Sequence, residues 1–206
     1  MKLYYAPGAC SQAPHIVLHE LGLTHEAVKV DLKAKTVEGG GDYRAINPKG
    51  SVPAIELPSG EVLTENAVVL QYLGDRSGLE QVLPPIGNFQ RYRVLEWLNF
   101  ITTELHKSFA PLFKADAADE VKAHFRKLIG ERLDYVEGRF GDGPYLMGGT
   151  FTLPDAYLFV ITGWADKMIG LDKWPKLKAF RERMMERDSV RQVLKLEGLL
   201  KEEAAV

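Results

Sequence analysis

The amino-acid sequence predicts an α/β unit followed by an all-α unit. Three observations carry this. Residues 1–77 read in the order β-α-β and then β-β-α. A break follows at Leu83-Pro84-Pro85. Beyond it, apolar residues recur at steps of three and four, the helical period. The predicted boundaries are 1–77 for the mixed unit, 78–87 for a linker and 88–206 for a helical bundle.

Each element has its own signal. Leu3-Tyr4-Tyr5 is a short buried strand, ended by the Pro7-Gly8-Ala9 turn. Ser11 has the chemistry of a helix cap, Pro14 falls in a first turn where its missing N–H costs little, and Gly22 ends the helix. Ala13, Ile16, Val17 and Leu21 make its inward face. Glu26 to Val30 alternates and reads as a second strand. A right-handed β-α-β crossover makes these two strands parallel. Asp31 to Gly50, with Gly39-Gly40-Gly41 and Asn47-Pro48, is a long connection holding one helical turn. Val52–Leu57, a Pro58-Ser59-Gly60 turn and Val62-Leu63 make a hairpin, and Thr64-Glu65-Asn66 opens the next helix. After the linker, Val94, Leu98, Ile101, Leu105, Phe109 and Leu112 predict one long helix. Val121 to Phe140, Ala156 to Met168 and Leu177 to Met185 predict three more, joined as a bundle.

Composition narrows the function. The chain has 206 residues, 46% hydrophobic and 26% charged, with a formal net charge of -2. That balance offers no electrostatic footprint for nucleic acid. No apolar stretch reaches the roughly 18–20 residues that span a bilayer, so no membrane role is expected. The Met1-to-Gly8 stretch lacks the features of a signal peptide. The single cysteine cannot close an internal disulfide, which points to a reducing compartment, the cytoplasm by default.

That cysteine, Cys10, leads the candidates for chemistry. It follows a strand and precedes a helix N-terminus, where backbone N–H groups and the helix dipole favour a thiolate. The plain alternative is a small buried hydrophobe. The following residues Ser11-Gln12-Ala13 carry no second cysteine, so thiol chemistry here needs a ligand's sulfur. Pro53 enters a strand where a cis bond turns the chain back, leaving Val52 to offer its backbone to a peptide-like ligand. An ordinary trans edge proline is the other reading. Glu65 and Asn66, at a helix start, suit the ammonium and carboxylate of a free amino-acid end, or simply cap the helix. Asn99, Thr103 and His106 step by four and three and so share a polar face, which lines a cleft or meets solvent. Two features read as structural. Thr152 and Asp155 match a capping box, with Phe151 placed for a staple. His15 and His19 have metal-ligand spacing, but no third ligand is apparent, and they read as a surface pair. No metal is therefore expected.

In this order and spacing the segments resemble a known family. They are Met1-Lys2-Leu3-Tyr4-Tyr5 with Gly8-Ala9-Cys10-Ser11, Asn47-Pro48-Lys49-Gly50 before Val52-Pro53-Ala54, Thr64-Glu65-Asn66-Ala67, Glu104-Leu105-His106, and Phe151 to Tyr157. Together they resemble the cytosolic glutathione S-transferases, and closely the bacterial beta class, over essentially the whole chain. The resemblance implies a thioredoxin-like first domain with cis Pro53, an all-helical second domain and a homodimer. It implies glutathione as co-substrate and a small hydrophobic electrophile as its acceptor. Cys10 would face the glutathione sulfur and could form a mixed disulfide with it. Lys35 and Val52 would contact the peptide, and Glu65 and Asn66 the γ-glutamyl end. Asn99, Thr103, Glu104, Leu105 and His106 would contribute from the helical domain, His106 beside the thiol. Tyr5, Phe109, Phe113 and Trp164 are candidates for the electrophile pocket. Many relatives carry Ser at the position of Asn66, and Asn keeps both a donor and an acceptor there. Two other functions fit the same fold: a glutathione-dependent thiol transferase with Cys10 as nucleophile, and a non-catalytic carrier of apolar ligands.

Overall fold

The structure, a computed structural model, describes residues 1–200. It divides into two compact units. The first holds Met1–Leu79 together with residues 185–200, and the second holds Glu80–Met184. The sequence reading assigned 88–206 to the helical unit. The difference is a return of the chain: its last described helix packs on the first helix. Positions 201–206 of that expected unit lie outside the described residues.

The first unit is built on a mixed five-stranded sheet in the order β3-β2-β1-β4-β5. Its centre is β1 (Lys2–Tyr5), where Leu3, Tyr4 and Tyr5 are buried. β2 (Glu26–Asp31) runs parallel to it, as the crossover requires, with Leu3 opposite Ala27. On the other side β4 (Ala54–Glu56) runs antiparallel, with Leu3 opposite Ile55. β5 (Val62–Thr64) closes that edge. The far edge, β3 (Thr36–Val37), was not expected. At two residues it is too short to show alternation, and Gly39, Gly40 and Gly41 follow it with positive φ. The predicted helical turn of that connection is a 3-10 turn at Tyr43–Ala45, where the Asp42 carboxylate accepts from the Arg44 N–H at 2.8 Å.

Helix α1 (Gln12–Glu20) leaves β1 through the Pro7-Gly8 turn. Ser11 stands at its N-cap but does not cap it. Its hydroxyl accepts from the Ala6 N–H at 3.1 Å and donates to the Ala6 carbonyl at 3.3 Å, tying the helix start to the strand end. At the other end Gly22, with φ 61°, lets the Leu23 N–H return to the Leu18 carbonyl at 2.9 Å. Every residue from Gln12 to Leu18 is buried, so α1 has no solvent face over that stretch. α2 (Asn66–Ser77) covers one flank and α7 (Asp188–Leu196) the other. The Glu20 carboxylate pairs with Arg187 and accepts from the Ser189 hydroxyl at 2.5 Å.

The second unit is helical. α3 (Phe89–Phe100) opens it, capped by Asn88, whose side chain accepts from the Gln90 N–H at 2.9 Å. The long helix expected through Leu112 does not stay α-helical. Ile101–Leu105 forms a π turn and His106–Phe113 a 3-10 segment containing Pro111. Hydroxyls of Thr102, Thr103 and Ser108 bond back to the carbonyls of Leu98, Asn99 and Glu104 along this stretch. α4 (Asp119–Arg139), α5 (Leu153–Ile169) and α6 (Pro175–Met185) follow. α5 is the core helix, buried without interruption from Leu153 to Thr162. Its start is the expected capping box. Asp155 accepts from the Thr152 N–H and hydroxyl and from the Leu146 N–H, each at 2.8 Å. Phe151, expected as a staple, is buried with its ring edge-on to Tyr145.

Candidate functional site

In the first unit the candidate residues converge on the turn before α1. Cys10 is buried, 8% exposed, and its thiol donates to the Val52 carbonyl at 3.2 Å. The Val52–Pro53 bond is cis. Asn66, first residue of α2, donates from Nδ2 to the Cys10 carbonyl at 3.2 Å. So the start of α2, the strand entry at Val52 and the start of α1 meet at Cys10. The Asn66 Oδ1 is buried and has no hydrogen-bond partner. A buried orphan acceptor costs free energy until something donates to it, and a ligand N–H or ammonium would do so.

Two residues flanking this turn have left-handed backbone. Glu65 has φ 72° and Lys35 has φ 59°. Non-glycine residues rarely occupy that region, and they concentrate at ligand sites. The Glu65 carboxylate is exposed and pairs with Lys49, which also donates to the Thr64 hydroxyl at 2.8 Å. Lys35 donates from Nζ to the Gly50 carbonyl at 2.7 Å. Tyr43 packs behind the turn: its hydroxyl donates to the Ser51 carbonyl at 2.9 Å, and burial pushes its pKa up to about 12. Tyr5 points elsewhere. It is buried with its ring 5.1 Å from His15, and burial, then the Glu197 and Glu38 charges, raises its pKa. The structure thus places Tyr5 in the packing between β1 and α1.

In the second unit the π turn divides the expected polar face. A π turn adds about one residue to the local period, so the four-and-three spacing does not align side chains as an α-helix would. Asn99 and Thr103 are exposed and line a surface depression of about 600 Å³ with Glu104, Tyr135 and Arg139. Glu104 is also held by Arg132, whose Nε donates to it at 3.0 Å. Leu105 is fully buried, so its side chain belongs to the core. His106 lies against α5 instead. Its Nδ1 is 2.5 Å from the Tyr157 hydroxyl, and its ring is 5.0 Å from that of Trp164. Burial, and secondarily Lys107, lowers the His106 pKa to about 4, so the ring is neutral at pH 7. Phe109 and Phe113 also meet Trp164, at 5.8 and 5.0 Å between ring centroids. Phe109 is fully buried and supports this aromatic cluster from behind, while Phe113 is half exposed.

Some participants carried no sequence signal. Tyr157, fully buried, entered the sequence reading only as the last residue of the Phe151-to-Tyr157 segment, with no role of its own. Its hydroxyl is what orients His106, and no spacing rule joins residues on different helices. The expected surface pair His15 and His19 also needs correction. His15 is fully buried, because α7 covers the α1 flank that carries it, and His25 stands beside both.

The chain matches known proteins along most of its length. Residues 8–76 match the glutathione S-transferase N-terminal domain, and residues 100–188 the C-terminal domain. It is 45% identical over 200 residues to glutathione S-transferase GstA of Escherichia coli O157:H7, covering 97% of this chain and all of that one. A sphingomonad glutathione S-transferase complexed with glutathione superposes with a TM-score of 0.93 at 40% identity, covering 97% of this chain and 100% of that one. A beta-class enzyme from Sphingomonas chungbukensis does so at 0.93 and 41%, with the same coverage. The chain belongs to the glutathione S-transferase family, and its structural neighbours include the bacterial beta class.

Proposed function

We propose that this protein is a beta-class glutathione transferase that joins the glutathione thiolate to small hydrophobic electrophiles. The observation that carries the reading is the meeting of Cys10, Val52 and Asn66 at one turn, with the buried Asn66 Oδ1 left unpartnered. The γ-glutamyl ammonium would satisfy that oxygen and the Glu65 carboxylate. Val52 would pair with the cysteinyl peptide unit, and Lys35 would meet a ligand carboxylate. The Cys10 S–H, now on the Val52 carbonyl, would swing to the glutathione sulfur. A donor to sulfur favours the thiolate over the thiol, and the α1 N-terminus acts in the same direction. From the helical unit, Asn99, Thr103 and Glu104 are assigned to glutathione, and Leu105 to the packing behind them. His106 is assigned as a neutral donor: with Tyr157 on Nδ1, its Nε2 is the nitrogen left for the thiolate. Phe113 and Trp164 would border the electrophile. Holding thiolate and electrophile in line then supplies much of the acceleration.

The family reading brings with it a homodimer. The single cysteine fits a reducing compartment such as the cytoplasm. Among the described residues no helix is long and apolar enough to cross a membrane.

Cys10→Ala tests the assignment. Conjugation of an aryl halide should fall at least about tenfold, the scale of one lost charge-assisted hydrogen bond, with glutathione binding by calorimetry retained. An unchanged rate would make Cys10 structural. The place of Cys10 at a helix start also suits a second reading, thiol transfer. There the Cys10 thiolate attacks glutathione disulfide, forming a mixed disulfide and releasing one glutathione thiolate. Intact mass after incubation with the disulfide, set against activity on the aryl halide, separates the two.

A further inference from the structure

Three of the chain's five histidines gather in the first unit, away from Cys10. His15 and His19 are one turn apart on α1. The chain then reverses at Gly22, and the parallel pairing of β2 with β1 brings His25 back alongside them. One ring nitrogen of each lies within 4.8 Å of the others. The ring centroids are 5.0–5.6 Å apart.

The hydrogen bonds say which nitrogens are free to bind. His15 Nδ1 is 3.0 Å from the Glu197 carboxylate, and His25 Nδ1 is 2.9 Å from the Leu23 carbonyl. Both partners accept, so each Nδ1 donates and each Nε2 is the nitrogen left to bind an ion. Nε2 of His15 and of His19 is buried without a hydrogen-bond partner. His15 is fully buried. Buried ring nitrogens without a partner are unfavourable, and an ion bound among the three rings would satisfy them.

We propose that His15, His19 and His25 form a binding site for a divalent transition-metal ion of the zinc class, with water in the remaining position. Three imidazoles with one open position are a known donor set for such ions. The outer partners that orient ligating histidines are already present in Glu197 and the Leu23 carbonyl. Tetrahedral bonds of about 2.05 Å need nitrogens about 3.3 Å apart, so the rings must close slightly. His19 and His25 are only half buried and have room to turn. His25 also lines a surface depression with Met1, Lys2 and Glu26, which gives an ion its way in. The ion would clip α1 to the β2 entry and, through Glu197, to the chain after α7.

The test uses the full chain without a histidine tag, stripped with chelator. Co²⁺ titration should give one ion per chain, with visible d–d bands of a low-coordinate nitrogen site and no thiolate charge-transfer band. Zn²⁺ should displace it and raise the melting temperature. His19→Gln and His25→Gln should each weaken binding by more than about 100-fold, and Glu197→Gln by about 10–100-fold. His19→Gln and His25→Gln should leave conjugation activity of the metal-free protein unchanged, which also shows that they fold. No binding at submillimolar metal overturns the proposal. So does binding that survives the His19→Gln/His25→Gln double variant, or a charge-transfer band placing the ion on Cys10.

Discussion

At the scale of single residues, Asn66 does the most connecting. One side-chain amide ties the start of α2 to the Cys10 carbonyl and leaves Oδ1 buried and open. Removing it has two separable effects. Asn66→Ala loses the bond to the Cys10 carbonyl, about 1 kcal/mol of stability, but also removes a buried atom that had no partner. The stability cost should therefore be small. The larger effect should be on glutathione: KM should rise about five- to tenfold, the equivalent of one hydrogen bond, with kcat changing less. Asn66→Asp should keep the acceptor and lose the donor, giving a KM between wild type and Ala. Steady-state kinetics with varied glutathione reads both. A larger loss in kcat than in KM would mean that Asn66 acts through the position of Cys10.

At the scale of elements, the α5 start is where local sequence governs most directly. Asp155 is fully buried and accepts three hydrogen bonds, two from Thr152 and one from Leu146. Asp155→Ala leaves those donors without a partner inside the core, so destabilisation of about 2–4 kcal/mol is expected in urea unfolding. Asp155→Asn keeps one acceptor oxygen and should cost less. This box was legible because it is contiguous, and so were the parallel pairing of β1 with β2, from the crossover, and the single helical turn after β3, while cis Pro53 came from the family resemblance. Cys10, Val52 and Asn66 were legible as candidates because turns and helix starts announce themselves locally. Elements whose reason is tertiary were not legible. β3 is two residues long and exists because Val37 can pair with Val30. The π turn has no hydrophobic signature: Leu98, Ile101, Leu105 and Phe109 stay buried through it, while the polar residues between them part. The His15 cluster depended on a helix more than 160 residues later covering α1.

At the scale of the molecule, that late helix makes the first unit depend on both ends of the chain. Glu197 has a fully buried side chain and accepts from the Gly8 N–H at 2.9 Å, the Gln12 amide at 3.0 Å and His15 Nδ1 at 3.0 Å. Glu197→Ala removes the acceptor these three groups share and should lower stability by about 3–5 kcal/mol, read as an earlier urea transition. Acid acts on the whole molecule through His106. Its pKa is about 4 when folded, against 6.5 for a free ring. Between those values the unfolded chain binds a proton that the folded chain refuses. Unfolding is thus favoured progressively as pH falls from about 6.5 to about 4, and the group has no effect above about pH 7. The full difference amounts to at most about 3 kcal/mol, a sizeable share of the roughly 5–15 kcal/mol that holds a domain folded. Carboxylates such as Asp134 and Asp172, whose pKa values are lowered by Lys173 and Lys178, titrate below this window and do not confuse it. The thermal midpoint of chelator-treated protein should therefore fall between pH 7 and pH 5. His106→Gln, which can still bond the Tyr157 hydroxyl, should flatten that slope. His19 is held down as well and leaves a residual one. A midpoint unchanged over this range would show that His106 takes up its proton in the folded state, and would remove the neutral ring on which its assignment as a donor rests.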